Sequence, residues 1–375
     1  MAIGRNSPKP RLPMALDRIT LSHFRNHAAS RLDGSARVNL LVGENGAGKT
    51  NVLEALSLLA PGRGLRRAPF ADVARADGPG SFSVSAALDC GDRREAVMLG
   101  TGTLAGRPGR RVVQVNGAEA SALALAEWLA VGWLTPAMDG LFADGAAARR
   151  RYIDRLAVAL DPLHARHASR YEAALRERNR LLASEAEPDP QWLASVEAQL
   201  AEAGAALAQG RAALVERLSA ELVALPEDPF ARPVLSYVPG GPSEHEALAA
   251  ELAAQRRRDR AAQRTLTGPH RDELEVAHAR TGMPAAQCST GEQKALLIAI
   301  TLAHAGLAAA GRPGVLLLDE VAAHLDPVRR GALFERLRSG GAQAWLTGTE
   351  LAPFAEIVGE AAVWRVSSGA VERAG

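Results

Sequence analysis

Val38-Asn39-Leu40-Leu41-Val42 runs straight into Gly43-Glu44-Asn45-Gly46-Ala47-Gly48-Lys49-Thr50, and Asn51-Val52-Leu53-Glu54-Ala55-Leu56 follows in helix-compatible residues. An apolar strand, a glycine-rich turn closing on Gly-Lys-Thr, and a helix are the context that a phosphate-binding P-loop requires. The glycines admit positive φ angles and close backbone approach, so successive N–H groups and the helix N-terminus can surround an anion. Lys49 is expected to reach the β- and γ-phosphates of ATP, and Thr50 to ligate Mg²⁺. The run from Gly43 to Thr50 is thus the expected nucleotide cradle, in an α/β fold.

The rest of the nucleotide chemistry has to come from elsewhere in the chain. Val315-Leu316-Leu317-Leu318-Asp319-Glu320 reads as a buried parallel strand ending in two acids, the Walker B form. Asp319 would hold Mg²⁺ through water, and Glu320 would polarise the attacking water as general base. Ser289-Thr290-Gly291-Glu292-Gln293-Lys294 opens an apolar helix, and Ser289 with Glu292 three residues on makes a capping box. The same segment resembles the ABC signature, in which the serine hydroxyl and glycine amide bind the γ-phosphate held by a second subunit. That reading implies an ATP-dependent homodimer with nucleotide at its interface.

Ala323-His324-Leu325-Asp326 stands where such ATPases carry a D-loop, which adds Asp326 to the expected nucleotide site. No histidine follows His324, and Trp345-Leu346-Thr347-Gly348-Thr349 lies where ABC ATPases place a switch histidine, so Thr347 is the expected sensor. No glutamine occurs between Thr50 and Gln114, so no Q-loop glutamine is identifiable. A weak or slowly triggered ATPase is the expected consequence.

Composition bounds the rest. The 375 residues, 47% of them hydrophobic, suffice for two or three compact units. No stretch approaches the roughly eighteen uninterrupted apolar residues of a membrane span, and the N-terminus lacks the apolar core of a secretory signal. The expected location is the cytoplasm, with no membrane partner. Residues 1–13 are Pro-rich and basic, and read as a disordered leader or a stretch upstream of a natural start at Met14. Cys90 and Cys288 lack metal-ligand spacing and read as two reduced structural thiols. A formal charge of +2 and 4% aromatic residues give no independent case for nucleic acid.

From 14 to 135 short apolar runs alternate with turn residues, including Ser81 to Ser85 and Arg111 to Val115 closed by Asn116-Gly117. Between 136 and 264 the texture turns Ala-, Leu-, Glu- and Arg-rich, a helical lobe with hardly any strand pattern. Leu193, Val196, Leu200, Ala203, Leu207 and Leu214 there fall on a three-four repeat, as in a short antiparallel coiled coil, although Gly204 and Gly210 weaken it. From 265 to 375 the α/β texture returns. The order implies an ATPase head whose two parts fold together around an inserted helical lobe.

His23-Phe24-Arg25-Asn26, Arg149-Arg150-Arg151-Tyr152-Ile153-Asp154 and Thr267-Gly268-Pro269-His270-Arg271-Asp272 lie outside the generic ATPase core. In this order they resemble the RecF family of bacterial recombination-repair proteins, from about Leu16 to the C-terminal strand. The resemblance implies an ABC-type P-loop head with a helical second lobe. It also implies an ATP-driven dimer that binds DNA, slow and DNA-stimulated hydrolysis that resets it, and action with RecO and RecR in loading recombinase at gaps.

Among the basic clusters Arg63, Arg66 and Arg67 are the expected DNA contacts, since a loop beside the ATP site could meet phosphates; Arg149 to Arg151 and Arg256 to Arg260 are weaker candidates. Two rival readings are an ABC transporter ATPase subunit and an SMC-like structural chromosome protein. The long helical insertion speaks against the first, and the lack of hundreds of coiled-coil residues against the second.

Overall fold

Val38–Val42 lies inside a six-stranded sheet, with Gln343–Gly348 on one side and Ala362–Ser367 on the other. Gly314–Leu318 and then Ala130–Leu134 extend the sheet one way, and Ala370–Ala374 closes the other edge. All pairings are parallel except the terminal hairpin of Ala362–Ser367 with Ala370–Ala374. Gly314–Leu318 is buried at every position, as expected of a strand covered on both faces. Because Gln343–Gly348 pairs with both the P-loop strand and the Walker B strand, the C-terminal ends of three parallel strands stand side by side. Such a strand-end crevice is where open α/β sheets bind ligands.

The computed structural model describes residues 15–89 and 96–374; the leader, Met14 and Cys90 lie outside them. A second, antiparallel sheet runs in the order His27–Leu32, Leu16–Phe24, Ser83–Leu88, Val97–Leu104, Arg107–Val115 and Ala118–Glu119. Asn116 and Gly117 close its last hairpin at φ 51° and 80°, the left-handed pair that an Asn-Gly turn supplies. Both sheets belong to one compact unit formed by residues up to Pro136 and from Ala308 onward.

The second unit, 137–307, is mainly helical. Leu163–Leu182 pairs with the 35-residue helix Pro190–Ala224, which Asp189 caps through the amides of Gln191 and Trp192. The salt bridges Arg170–Glu202 and Arg178–Glu197 run in opposite sense along the two helices, so the pair is antiparallel. All six residues of the three-four repeat are buried. The two glycines mark the closest approaches: a Cβ on Gly204 would stand 2.9 Å from Leu248 Cδ2, and one on Gly210 2.6 Å from His164 Nδ1. Helix propensity is given up there for contact.

Within 136–264, expected to show hardly any strand, Pro233–Val238 pairs antiparallel with Glu273–His278. Its short, turn-bounded alternation of buried and exposed residues is easily lost among helices. The pairing also groups residues 265–307 with the helical unit.

Candidate functional site

The P-loop is held open by its surroundings. Gly48 has φ +115°, and a Cβ there would meet Asn26 Oδ1 at 2.7 Å and His27 Nε2 at 2.8 Å. A Cβ on Gly43 would collide with the Val366 carbonyl, whereas Gly46, at φ +81°, faces open space. Lys49 is buried at 4% exposure, and its Nζ donates to Gly43 O (2.7 Å) and Glu44 O (2.8 Å). Burial lowers the ammonium pKa, opposed by the charges of Glu320 and Asp319. An ammonium resting on loop carbonyls beside a bare glycine turn is a cradle suited to triphosphate oxygens. Gly48→Val is expected to lower ATP affinity by at least about tenfold through both the clash and the positive φ, measured by calorimetric titration.

Thr50 opens the Lys49–Ser57 helix and donates from Oγ1 to Asp319 Oδ1 (2.9 Å), joining the P-loop to the Walker B acid. Thr347 Oγ1 donates to the same oxygen (2.9 Å) and accepts from the Glu320 amide (2.8 Å). Burial raises the Asp319 pKa, while the Thr347 and Thr50 bonds oppose it. Glu320 has φ +54°, a left-handed conformation that costs a side-chain-bearing residue of order 1 kcal/mol. The Thr347 hydroxyl therefore links the Asp319 carboxylate to the Glu320 backbone amide. Thr347→Val is expected to lower ATP turnover about tenfold with ATP affinity little changed, and Thr347→Ser to restore it, as read by steady-state hydrolysis.

Several residues at this site carried no general motif signal. Asn26 Nδ2 donates to Ala47 O (3.0 Å), Asn51 Nδ2 to Asn26 Oδ1 (2.7 Å), and buried His27 pairs with Gly48 O (3.1 Å). The His-Phe-Arg-Asn segment is thus the back wall of the P-loop. Arg25 grips Glu54 on the P-loop helix with two bonds, 2.6 and 2.9 Å. Arg66, an expected DNA contact, also binds Glu54 (2.6 Å) and Asn51 Oδ1 (2.6 Å), while Arg63 and Arg67 are exposed. Asp326 caps the Pro327–Ser339 helix by accepting from the Arg329 amide (3.0 Å).

In the second unit, Ser289, Thr290 and Gly291 are exposed at the N-terminus of the Thr290–Ala309 helix. The capping box is formed: Ser289 N and Oγ both donate to Glu292 Oε2, at 2.9 and 2.7 Å. His304 on the same helix is fully enclosed and bonds Leu156 O (2.9 Å); burial pulls its pKa down to about 4. Between that value and the ordinary 6.5 only the unfolded chain takes the proton, so stability present at pH 7 is lost as pH falls. The loss should approach about 3 kcal/mol near pH 4, and His304→Gln should flatten this part of a urea-denaturation pH profile.

Several arginines of the weaker basic clusters are tied down in this unit, while Arg151, Arg257 and Arg258 are exposed. Arg149 holds Glu273 with bonds of 2.6 and 2.8 Å, Arg150 donates to Asp272 O (2.9 Å), and Arg256 is paired with Glu197 (2.6 Å). Arg211 binds both oxygens of Asp154 (2.8 Å each), Asp272 Oδ2 (2.7 Å) and Pro269 O (2.6 Å). The two segments quoted above, ending in Asp154 and Asp272, thus meet on one buried guanidinium.

The family model for the RecF/RecN/SMC N terminal domain matches residues 15–352. A DNA replication and repair protein RecF from Mesorhizobium japonicum is 48% identical over 371 residues, covering 95% of this chain and 97% of its own. The RecF of Brucella suis is 47% identical over 369 residues, covering 95% of each. In three dimensions the chain is similar to the recombination mediator protein RecF-ATPrS of the RecFOR pathway, with TM-score 0.85 and 24% identity over 97% of this chain and 99% of that one. It is more distantly similar to an Smc head domain from Pyrococcus furiosus, with TM-score 0.53 and 15% identity over 96% of each chain.

Proposed function

The chain belongs to the RecF family, and from that premise we propose that it is an ATP-binding DNA replication and repair protein in which nucleotide closes a dimer on DNA. The observation that carries the reading is the chain of hydrogen bonds from Thr50 through the Asp319 carboxylate and the Thr347 hydroxyl to the Glu320 backbone amide, which ties the cradle to the metal-ligand candidate and fixes the backbone of the candidate base. Thr50 and Asp319 would hold Mg²⁺, whose charge would neutralise the triphosphate. Lys49 would exchange its two carbonyls for β- and γ-phosphate oxygens. Glu320 would take the proton of the attacking water.

The exposed Ser289–Gly291 turn supports a site completed by a second copy: serine and glycine at the start of a 20-residue helix offer a hydroxyl, amides and a positive dipole end. ATP then acts chiefly as a dimerisation ligand, with slow hydrolysis for release. RecR and RecO are the expected partners in loading recombinase at gaps, in the cytoplasm. Retardation of gapped duplex DNA tests the reading: ATP should strengthen it at low salt, and equal mobility with and without ATP and protein would refute it.

A further inference from the structure

His27, the first residue of the His27–Leu32 strand, is fully buried behind the P-loop. Its Nε2 lies 3.1 Å from Gly48 O, and its Nδ1 lies 2.9 Å from Ser30 Oγ. Both ring nitrogens thus face oxygen. A backbone carbonyl can only accept, so Nε2 has to carry a proton. Ser30 Oγ has a single proton, which it donates to Gly369 O (3.1 Å); in that arrangement Nδ1 carries a proton as well, and the ring is an imidazolium. If the Ser30 hydroxyl turns to Nδ1 instead, the ring is neutral and still bonded at both nitrogens. Rotation of one hydroxyl therefore accommodates either charge state of a buried imidazole.

The same atoms brace the P-loop. Gly48 O also accepts from the amides of Asn51 (3.0 Å) and Val52 (3.2 Å) at the start of the Lys49–Ser57 helix, and Gly369 N donates to Ala47 O (3.0 Å). His27 and Ser30 hence fix two consecutive residues of the cradle, one directly and one through Gly369. Burial is the main influence on the ring and lowers its pKa from the ordinary 6.5, opposed by the Gly48 and Gly369 carbonyls. Arg75, which donates to Asn26 O (2.8 Å) and pairs with exposed Asp77, lowers it further. On the neighbouring elements, residues 366–371 carry no charge, Glu44 is exposed, and the Lys49 ammonium rests on Gly43 O and Glu44 O. On either side of His27 in its own hairpin, Arg25 is paired with Glu54 and Arg31 with Asp33. The positive end of the Lys49–Ser57 helix also disfavours a cation here. At pH 7 the free protein therefore holds His27 mainly neutral.

We propose that His27 is a positioning residue of the phosphate cradle and that it takes up a proton from solvent when the triphosphate of ATP enters. Negative charge on the loop that His27 braces favours the imidazolium. As the second ring proton arrives on Nδ1, the Ser30 hydroxyl turns to Gly369 O, and no hydrogen bond is lost. The proton returns to solvent when nucleotide leaves. ATP affinity is then greatest below the pKa of the free state and falls as pH rises toward that of the bound state.

The inference rests on the ATP-binding reading above, and its test separates the two. Calorimetric titration of the full chain with MgATP at pH 6.5, in buffers of low and high ionisation enthalpy, counts the protons taken up. Wild type should take up at least about 0.3 proton per ATP more than His27→Gln, because glutamine can donate to Gly48 O and accept from Ser30 but cannot be protonated. If binding raises the imidazole pKa by about one unit, wild type should lose about threefold more affinity than His27→Gln between pH 6 and pH 8, with the two within about twofold at pH 8. Equal uptake in both proteins, or none in a wild type that binds ATP, would overturn the proposal. A deficit of His27→Gln as large at pH 8 as at pH 6 would leave His27 a bracing role alone and overturn the proton uptake. If His27→Gln fails to fold, Ser30→Ala decides: without the acceptor of Nδ1–H the uptake should fall at least by about half, and unchanged uptake would overturn the proposal. A wild type that binds no ATP at any pH would overturn the ATP-binding reading itself.

Discussion

Glu320→Gln is expected to lower ATP turnover by roughly 10²- to 10³-fold while ATP binding stays close to wild type. Glutamine keeps the size of the side chain and its reach but has no basic oxygen to receive a proton. The backbone at this position is fixed independently of the side chain: the Glu320 amide is held by Thr347 Oγ1 at 2.8 Å, and its φ of +54° is set at the end of a fully buried strand. The variant should therefore leave the cradle intact. Phosphate release under steady-state and single-turnover conditions measures the loss, and equilibrium titration of ATP checks that binding survives. Turnover within about threefold of wild type would remove Glu320 as general base.

Arg211→Met is expected to destabilise the helical unit by about 3–5 kcal/mol, the cost of leaving buried charge uncompensated. The Arg211 side chain is 4% exposed, and Asp272 beneath it 2%. Burial works against the charged guanidinium, but its bonds to Asp154 and Asp272 prevail and raise its pKa. Asp272 also receives the Gly240 amide (2.7 Å) and the Tyr237 hydroxyl, and Asp154 receives His164 Nε2 (2.9 Å). Methionine fills much of the volume while leaving both carboxylates without their cation. Urea denaturation followed by circular dichroism reads the change in midpoint, and a loss below about 1 kcal/mol would show that the network is not structural.

The chemistry of the ATP site was legible because each part is local. A strand, a glycine turn and a helix are contiguous from Val38 to Leu56, and two acids terminate one apolar strand at Leu318. What the linear pattern could not carry is side-by-side placement. Only the strand order brings Gln343–Gly348 between the P-loop and Walker B strands, and hence lets Thr347, the expected sensor, bridge the Asp319 carboxylate and the Glu320 amide. Glu54 likewise reads as an ordinary helix residue until Arg25 and Arg66 converge on it from elsewhere in the chain.

The helical lobe shows the same division. Periodicity identified the buried stripe of Pro190–Ala224, but the two glycines that weakened it are explained by Tyr171, Leu248 and His164, which no spacing rule connects to them. Charge runs were the least legible feature. Arg149, Arg150 and Arg256 turn out to be engaged within the lobe, whereas Arg107 and Arg110, separated by a proline and a glycine at the start of the Arg107–Val115 strand, stand exposed.

Sedimentation of the wild type and of Glu320→Gln, each with and without ATP and Mg²⁺, tests most directly that ATP acts as a dimerisation ligand completed by the Ser289–Gly291 turn of a second copy. The account predicts a dimer of Glu320→Gln that persists in ATP and reverts to monomer when Ser289→Arg is added. A Glu320→Gln protein that binds ATP yet sediments as a monomer would contradict it.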